Sequence, residues 1–306
     1  MQISKRRLPF LGWPRPDSHL LRSESFAGLS VGLMVIPQGV AYAALAGMPL
    51  ITGIYASLLP ALIAVLFSAS PRLSVGPTAL TAMLVAASLT GMAAPGSAEW
   101  VQLAVWLSLL SGALQLLLGY ARFGWLLNLV SSPVLMAFTQ AAAVFILSTQ
   151  IPALLGMPNG WASALAPASW DLASLLMGLG SLALLMGLRR WRPTFPTVLV
   201  VVLGSAALSH WLDLYWPGLL SWDSFKQLVL PVLVITLVSF LETASSAKVD
   251  NDRSGRRWDQ DQDLIGQGLG KIASGLCGAF PTSSSFSRSA LNLYAGAQTG
   301  WATVVS

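Results

Sequence analysis

Hydrophobic residues recur in long blocks along the whole chain, many of them near the ~20 residues a helix needs to cross a ~30 Å hydrocarbon layer. The pattern predicts spans at residues 26–48, 51–67, 77–89, 100–120, 127–147, 172–188, 195–211, 228–248, 264–280 and from 288 onward. The third and the last are too short to cross alone. Short polar segments rich in Gly, Pro and charge separate the blocks. The expected fold is therefore an all-α polytopic membrane protein of about ten spans. Residues 1–25 read as a basic arm with Pro9, Pro14 and Pro16, and residues 26–306 as the transmembrane domain. No short apolar core with a small-residue cleavage site follows the arm, so it is not read as a signal peptide.

Composition sharpens this picture. Of 306 residues, 55% are hydrophobic and only 9% charged, far from the roughly 25% charged soluble average. The formal net charge of +5 does not call for nucleic acid, because the charges lie between the apolar blocks. With the N-terminus in the cytoplasm, 14 of the 17 basic residues fall on the inner side, which is the positive-inside pattern of a multi-pass protein of a cell membrane, such as a bacterial inner membrane. Lys226 falls in an outer loop, and Lys271 and Arg288 fall within spans. Trp100, Trp170, Trp191, Trp211, Trp216 and Trp222 lie near span ends and read as headgroup anchors. Gly28, Gly32, Gly266, Gly268, Gly270, Gly275 and Gly278 are spaced to let helices pack closely.

Enzyme chemistry finds little support. One cysteine, Cys277, and two histidines, His19 and His210, supply neither a catalytic cluster nor a metal site, and no cofactor is expected. Gly266 to Lys271 imitates a phosphate loop but has Ile265 and Ile272 where Gly and Ser or Thr are needed. Asp259, Asp261 and Asp263 imitate a calcium loop but lack its turn glycine and closing acid. They read as a solvated cytoplasmic loop.

One constellation survives. The stretch Pro71 to Ala79 is extended in character and precedes little more than half a span, with Pro77 suited to a first helical turn. Pro281 to Ala290 repeats the plan, and with one inserted residue Gly76-Pro77-Thr78-Ala79 aligns with Ser287-Arg288-Ser289-Ala290. Polar irregular backbone cannot face lipid, and two interrupted helices in matching places point to a transporter site. Their N-termini favour an anion, to which Arg288 adds a full charge. The bland reading is an arginine that snorkels or pairs with Glu242. Glu242 is the acid placed within a span; a proton relay, a cation ligand, a partner for Arg288 and an interfacial glutamate all remain open. Gln38 and Tyr42 follow Pro37 on one helix face and either line a cavity or, for Gln38, repair the backbone bonding that the proline breaks.

Val35-Ile-Pro-Gln-Gly-Val-Ala-Tyr42, Gly53-Ile-Tyr-Ala-Ser57, Leu73-Ser-Val-Gly-Pro77 and Phe280-Pro-Thr-Ser-Ser-Ser-Phe-Ser-Arg-Ser289 resemble the sulfate permease (SulP) family, from about Ser25 onward. The resemblance implies a seven-plus-seven inverted repeat with a core domain moving against a gate domain, an elevator-type carrier of sulfate-like or bicarbonate-like anions, and a homodimer when full length. By position it implies a site formed by Gln38, Tyr42, Gly76, Pro77, Thr78, Ser287 and Arg288, with Glu242 coupling a proton. It also implies that spans one to four and eight to ten form the core and five to seven part of the gate. The family usually carries a C-terminal STAS domain, and this chain is expected to lack it and to stop within the second repeat. A nucleobase carrier and a sodium-coupled bicarbonate carrier share the fold and stand as alternatives, as does a non-transporting fragment.

Overall fold

The computed structural model describes residues 8–129, 222–255 and 257–306, with isolated positions between 137 and 151. The expected spans at 172–188 and 195–211, most of the one at 127–147, and Trp170, Trp191, Trp211 and Trp216 lie outside the described residues. Two compact units divide the chain, Met1–Leu135 with Ala206–Ser306, and Met136–Ser205. All elements below belong to the first.

After a 3-10 turn at Pro9–Gly12, α1 runs over Ser18–Leu45. It starts eight residues before the expected boundary, inside the basic arm, because Asp17 caps it by accepting from the Leu20 N–H at 2.7 Å. Then come α2 (Ile51–Phe67), α3 (Ala79–Leu89), α4 (Ala98–Tyr120) and α5 (Trp222–Ser254). They are followed by α6 (Gln260–Leu276), α7 (Phe286–Tyr294) and α8 (Trp301–Val305). Among the described residues, α1, α4 and the Trp222–Asp252 part of α5 are long and apolar enough to cross a membrane, and α2 and α3 are shorter apolar helices.

Glycines set the helix spacing. A Cβ on Gly268 of α6 would lie 2.7 Å from the Leu116 nitrogen and 2.8 Å from the Gly112 oxygen of α4. One on Gly266 would meet the Ala64 oxygen of α2 at 2.9 Å, so α6 touches two neighbours backbone to backbone. The small-residue pattern marks close approach at these positions, whereas Gly278 lies past the end of α6 as a turn glycine with φ 69°.

Two expectations fail. Trp100 is no headgroup anchor: it is 1% exposed and packs with Leu89, Leu103, Ile235 and Phe280, its Nε1 donating to the Ala46 carbonyl at 2.9 Å. An indole with its one donor satisfied is a large apolar filler. Trp222, by contrast, is 68% exposed. The acidic run is no solvated loop either. Asp259 caps α6, Asp261 accepts from the Gly124 N–H at 2.7 Å, and Asp263 is buried, accepting from Ser68, from both the N–H and the hydroxyl of Ser70, and from Trp258 Nε1. Nearby, Arg72 pairs with Asp250 and donates to Ser254 Oγ at 2.8 Å. Acidic residues open a helix because its first N–H groups lack partners there.

Candidate functional site

Two short extended segments precede the two short helices. β1 (Val75–Gly76) leads into α3 and β2 (Ser283–Ser284) leads into α7. The segments pair antiparallel, Val75 opposite Ser284 and Gly76 opposite Ser283. Ribbon pairing satisfies backbone groups that the surrounding helices cannot reach. It extends through the Ser285 N–H, which donates to the Ser74 carbonyl at 3.0 Å, and the Ser74 N–H, which donates to Ser289 Oγ at 3.0 Å. Thr78 caps α3 and Ser285 caps α7, each hydroxyl accepting from the N–H three residues on. The equivalence is thus Thr78 with Ser285. This corrects the sequence alignment by about one helical turn, and Pro77 precedes the cap instead of occupying the first turn.

Arg288 lies in the first turn of α7 and is 1% exposed. Its Nη1 donates to the Pro77 carbonyl at 2.8 Å and to Gln38 Oε1 at 3.2 Å, and its Nε donates to Ser74 Oγ at 3.3 Å. Nη2 has no partner and lies against Gly76, where a Cβ would stand 3.2 Å away. Gly76 thus leaves room for the guanidinium. Among the described residues no carboxylate forms an ion pair with Arg288. A cation buried on neutral acceptors alone costs several kcal/mol, so this geometry suits an anion more than it suits folding.

Glu242, on α5, is half-buried; its Oε2 accepts from Thr78 Oγ1 at 3.3 Å and the Ser283 hydroxyl lies against it. It is bound to the α3 cap and not paired with Arg288. Gln38 and Tyr42, one turn apart on α1, are half-buried; Gln38 touches Arg288 directly, and Tyr42 is within electrostatic range of Arg288 and Glu242. The structure therefore gathers Gln38, Tyr42, Gly76, Pro77, Thr78, Glu242 and Arg288. Ser287 stays apart: it is exposed, its hydroxyl 3.3 Å from that of Ser285.

Sequence reasoning missed the layer behind this site. Lys271 Nζ, fully buried in α6, donates to Gln115 Oε1 at 2.5 Å and to Ser239 Oγ at 2.6 Å. Ser239 in turn donates to Ser283 Oγ at 3.0 Å, and Ser284 Oγ accepts from Gln267 Nε2 at 2.8 Å. Thr236, Ser239 and Thr243, all buried on α5, carry the signal that could have been read: polar residues three and four apart on one face of an apolar helix. Glu24 was missed as well. It sits inside α1, fully buried, with Oε1 accepting from the N–H groups of Gln298 (2.9 Å) and Thr299 (2.8 Å) and Oε2 from that of Ala302 (2.8 Å). Glu242 is thus one of several acids within these helices.

Comparison with known proteins places this arrangement. A profile of the sulfate permease family matches residues 21–306. A probable sulfate transporter of Mycobacterium tuberculosis is 33% identical over 91% of this chain and 54% of its own length. The chloroplastic sulfate transporter 4.1 of Arabidopsis thaliana is 31% identical over 94% of this chain and 47% of its own. The chain spans about half the length of these relatives, which are named as transporters and not as enzymes. Among solved structures, the murine Slc26a9 anion transporter in its inward-facing state superposes with a TM-score of 0.84 at 19% identity, covering 99% of this chain and 58% of that one. The transmembrane domain of the cyanobacterial bicarbonate transporter BicA gives 0.79 at 17% identity, covering 95% and 81%. At such identities the structural likeness concerns the fold alone. The profile match, spanning nearly all of it, settles the kinship: this chain belongs to the sulfate permease family.

Proposed function

We propose that the chain carries small inorganic anions, of the sulfate or bicarbonate kind, across a membrane by secondary active transport. One observation carries this reading: the buried Arg288 guanidinium has no carboxylate partner among the described residues and one amino group, Nη2, left without a partner. It lies where α3 and α7 both present capped N-termini to a common ribbon. Helix N-termini, free N–H donors and a guanidinium together favour an oxyanion over an uncharged base. The names of the relatives agree with an anion.

In this reading Glu242 takes up the coupling proton and neutralises part of the anion's charge while the site moves. The antiparallel pairing of two strand-plus-half-helix units supports an inverted repeat, and an elevator movement follows from keeping ribbon, α3 and α7 together as one carrier body. The N-terminus faces the cytoplasm of a bacterial-type cell, by the placement of basic residues. A homodimer in the lipid bilayer rests on the family resemblance alone.

The test is uptake into proteoliposomes of labelled sulfate, bicarbonate, chloride and uracil under imposed proton or sodium gradients. Saturable anion uptake driven by protons is expected, and Glu242→Gln uncouples it from the pH gradient. Uptake of uracil but of no anion overturns the reading. Uptake driven by sodium and indifferent to protons replaces proton coupling with the bicarbonate type of carrier.

A further inference from the structure

Lys271 is the buried charge that the transport reading leaves unused. It is fully buried, as are its two acceptors, Gln115 and Ser239. An ammonium has donors only, so Ser239 Oγ must accept from it and turn its own proton onward. That proton goes to Ser283 Oγ at 3.0 Å, and Ser283 lies against the Glu242 carboxylate. The two hydroxyls therefore lie between Lys271 and Glu242, with Ser239 donating away from the lysine toward Ser283. Ser283 is also the ribbon residue opposite Gly76, whose backbone bounds the open side of Arg288. This row of hydroxyls leads to the site, and Glu242 and Lys271 are within electrostatic range of each other.

The charges gathered around the ribbon, among the described residues, are then Arg288, Glu242 and Lys271. With Glu242 ionised they sum to a single positive charge, and with Glu242 protonated they sum to two. A bound anion of one or two negative charges matches these two states in turn.

We propose that Lys271 is a second cation of the anion site, held behind Glu242 by the Ser239 and Ser283 hydroxyls, and that its charge biases the site toward doubly charged oxyanions. The proposal rests on the anion reading of the site given above. Lys271 does not touch the anion; it is a positioning residue that acts through Ser283 and Glu242. Coulomb energy scales with the product of charges, so removing one fixed cation weakens a dianion by the square of the factor it costs a monoanion. If a monoanion loses about threefold, a dianion loses about tenfold.

The experiment measures equilibrium binding of sulfate and of chloride to the purified chain, for wild type, Lys271→Gln, Lys271→Met and Lys271→Arg. Lys271→Gln retains a donor for Ser239 and removes only the charge; Lys271→Met removes both and serves where the glutamine chain does not fold. The expected result is a loss for sulfate of about tenfold against about threefold for chloride in both neutral variants, with Lys271→Arg restoring the wild-type ratio. An unchanged sulfate-to-chloride ratio in the neutral variants overturns the proposal while leaving the anion site in place. If the wild type binds neither ion, the anion reading fails and the proposal with it.

Discussion

Replacing Arg288 by methionine removes the charge while keeping an unbranched chain of similar reach. In the structure Nη2 is the free donor, so a bound anion would lie with its charge roughly 4 Å from the guanidinium. At an effective dielectric of about 20, a unit charge pair at ~4 Å is worth about 4 kcal/mol, or about 1,000-fold in affinity. The two half-helix N-termini are common to both chains and cancel in the comparison, so the loss for sulfate, a dianion, is expected to be at least about 1,000-fold. Folding suffers less. Methionine leaves Ser74, Gln38 and the Pro77 carbonyl without the donor they now share, yet it also removes the desolvation cost of a buried cation. Arg288→Lys preserves the charge, but one ammonium cannot serve three acceptors and an anion together, and about a tenfold loss is expected. Titration of detergent-purified chain with sulfate, alongside a thermal melt of each variant, separates the two effects. An Arg288→Met chain that folds and binds sulfate within threefold of wild type would refute the reasoning.

Further expectations concern the supports of the site. In Glu24 and Asp263 both carboxylate oxygens face donors that cannot turn round: the Gln298, Thr299 and Ala302 N–H groups for the first, the Ser70 N–H and the Trp258 indole for the second. No flip of a carboxamide satisfies them, so Glu24→Gln and Asp263→Asn should each destabilise by about 2–4 kcal/mol, read as a lower melting temperature in detergent; an unchanged melt argues against both hydrogen-bond sets. Gly268→Val places a side chain where the α4 backbone already stands at 2.7–2.8 Å. It should cost about 3 kcal/mol or more and reduce the yield of folded chain; wild-type yield and melting would show that α4 and α6 are farther apart.

Much of this was legible in the sequence where a local signal decided the outcome. The apolar block at 51–67 coincides with α2 at both ends, since Ser68 and a proline after it stop the helix. The polar stretches before residues 79 and 286 revealed both half-helices, because backbone of that kind must be enclosed. Alignment of the two segments by sequence sets their offset one turn away, since the equivalent pair is Thr78 and Ser285, two hydroxyl caps, and not the Gly-Pro and Ser-Arg dipeptides. What escaped was whatever depends on distant partners. Lys271 finds Gln115 across 156 residues, and Glu24 finds Ala302 across 278. Neither spacing has a local pattern, and the arm around Glu24 reads as polar and basic. Asp263 reads as a solvated acid because its donors, Ser68 and Ser70, belong to the end of α2 and the turn after it.

The central claim is that an anion sits between the N-termini of α3 and α7 against Arg288. Its most direct test is an experimental structure of the chain soaked with selenate, located by the anomalous signal of selenium. The account predicts a peak within ~4 Å of Arg288 Nη2, beside Gln38 and the ribbon of Gly76 and Ser283. Selenate bound elsewhere in the molecule, with this position empty at saturating concentration, would contradict it.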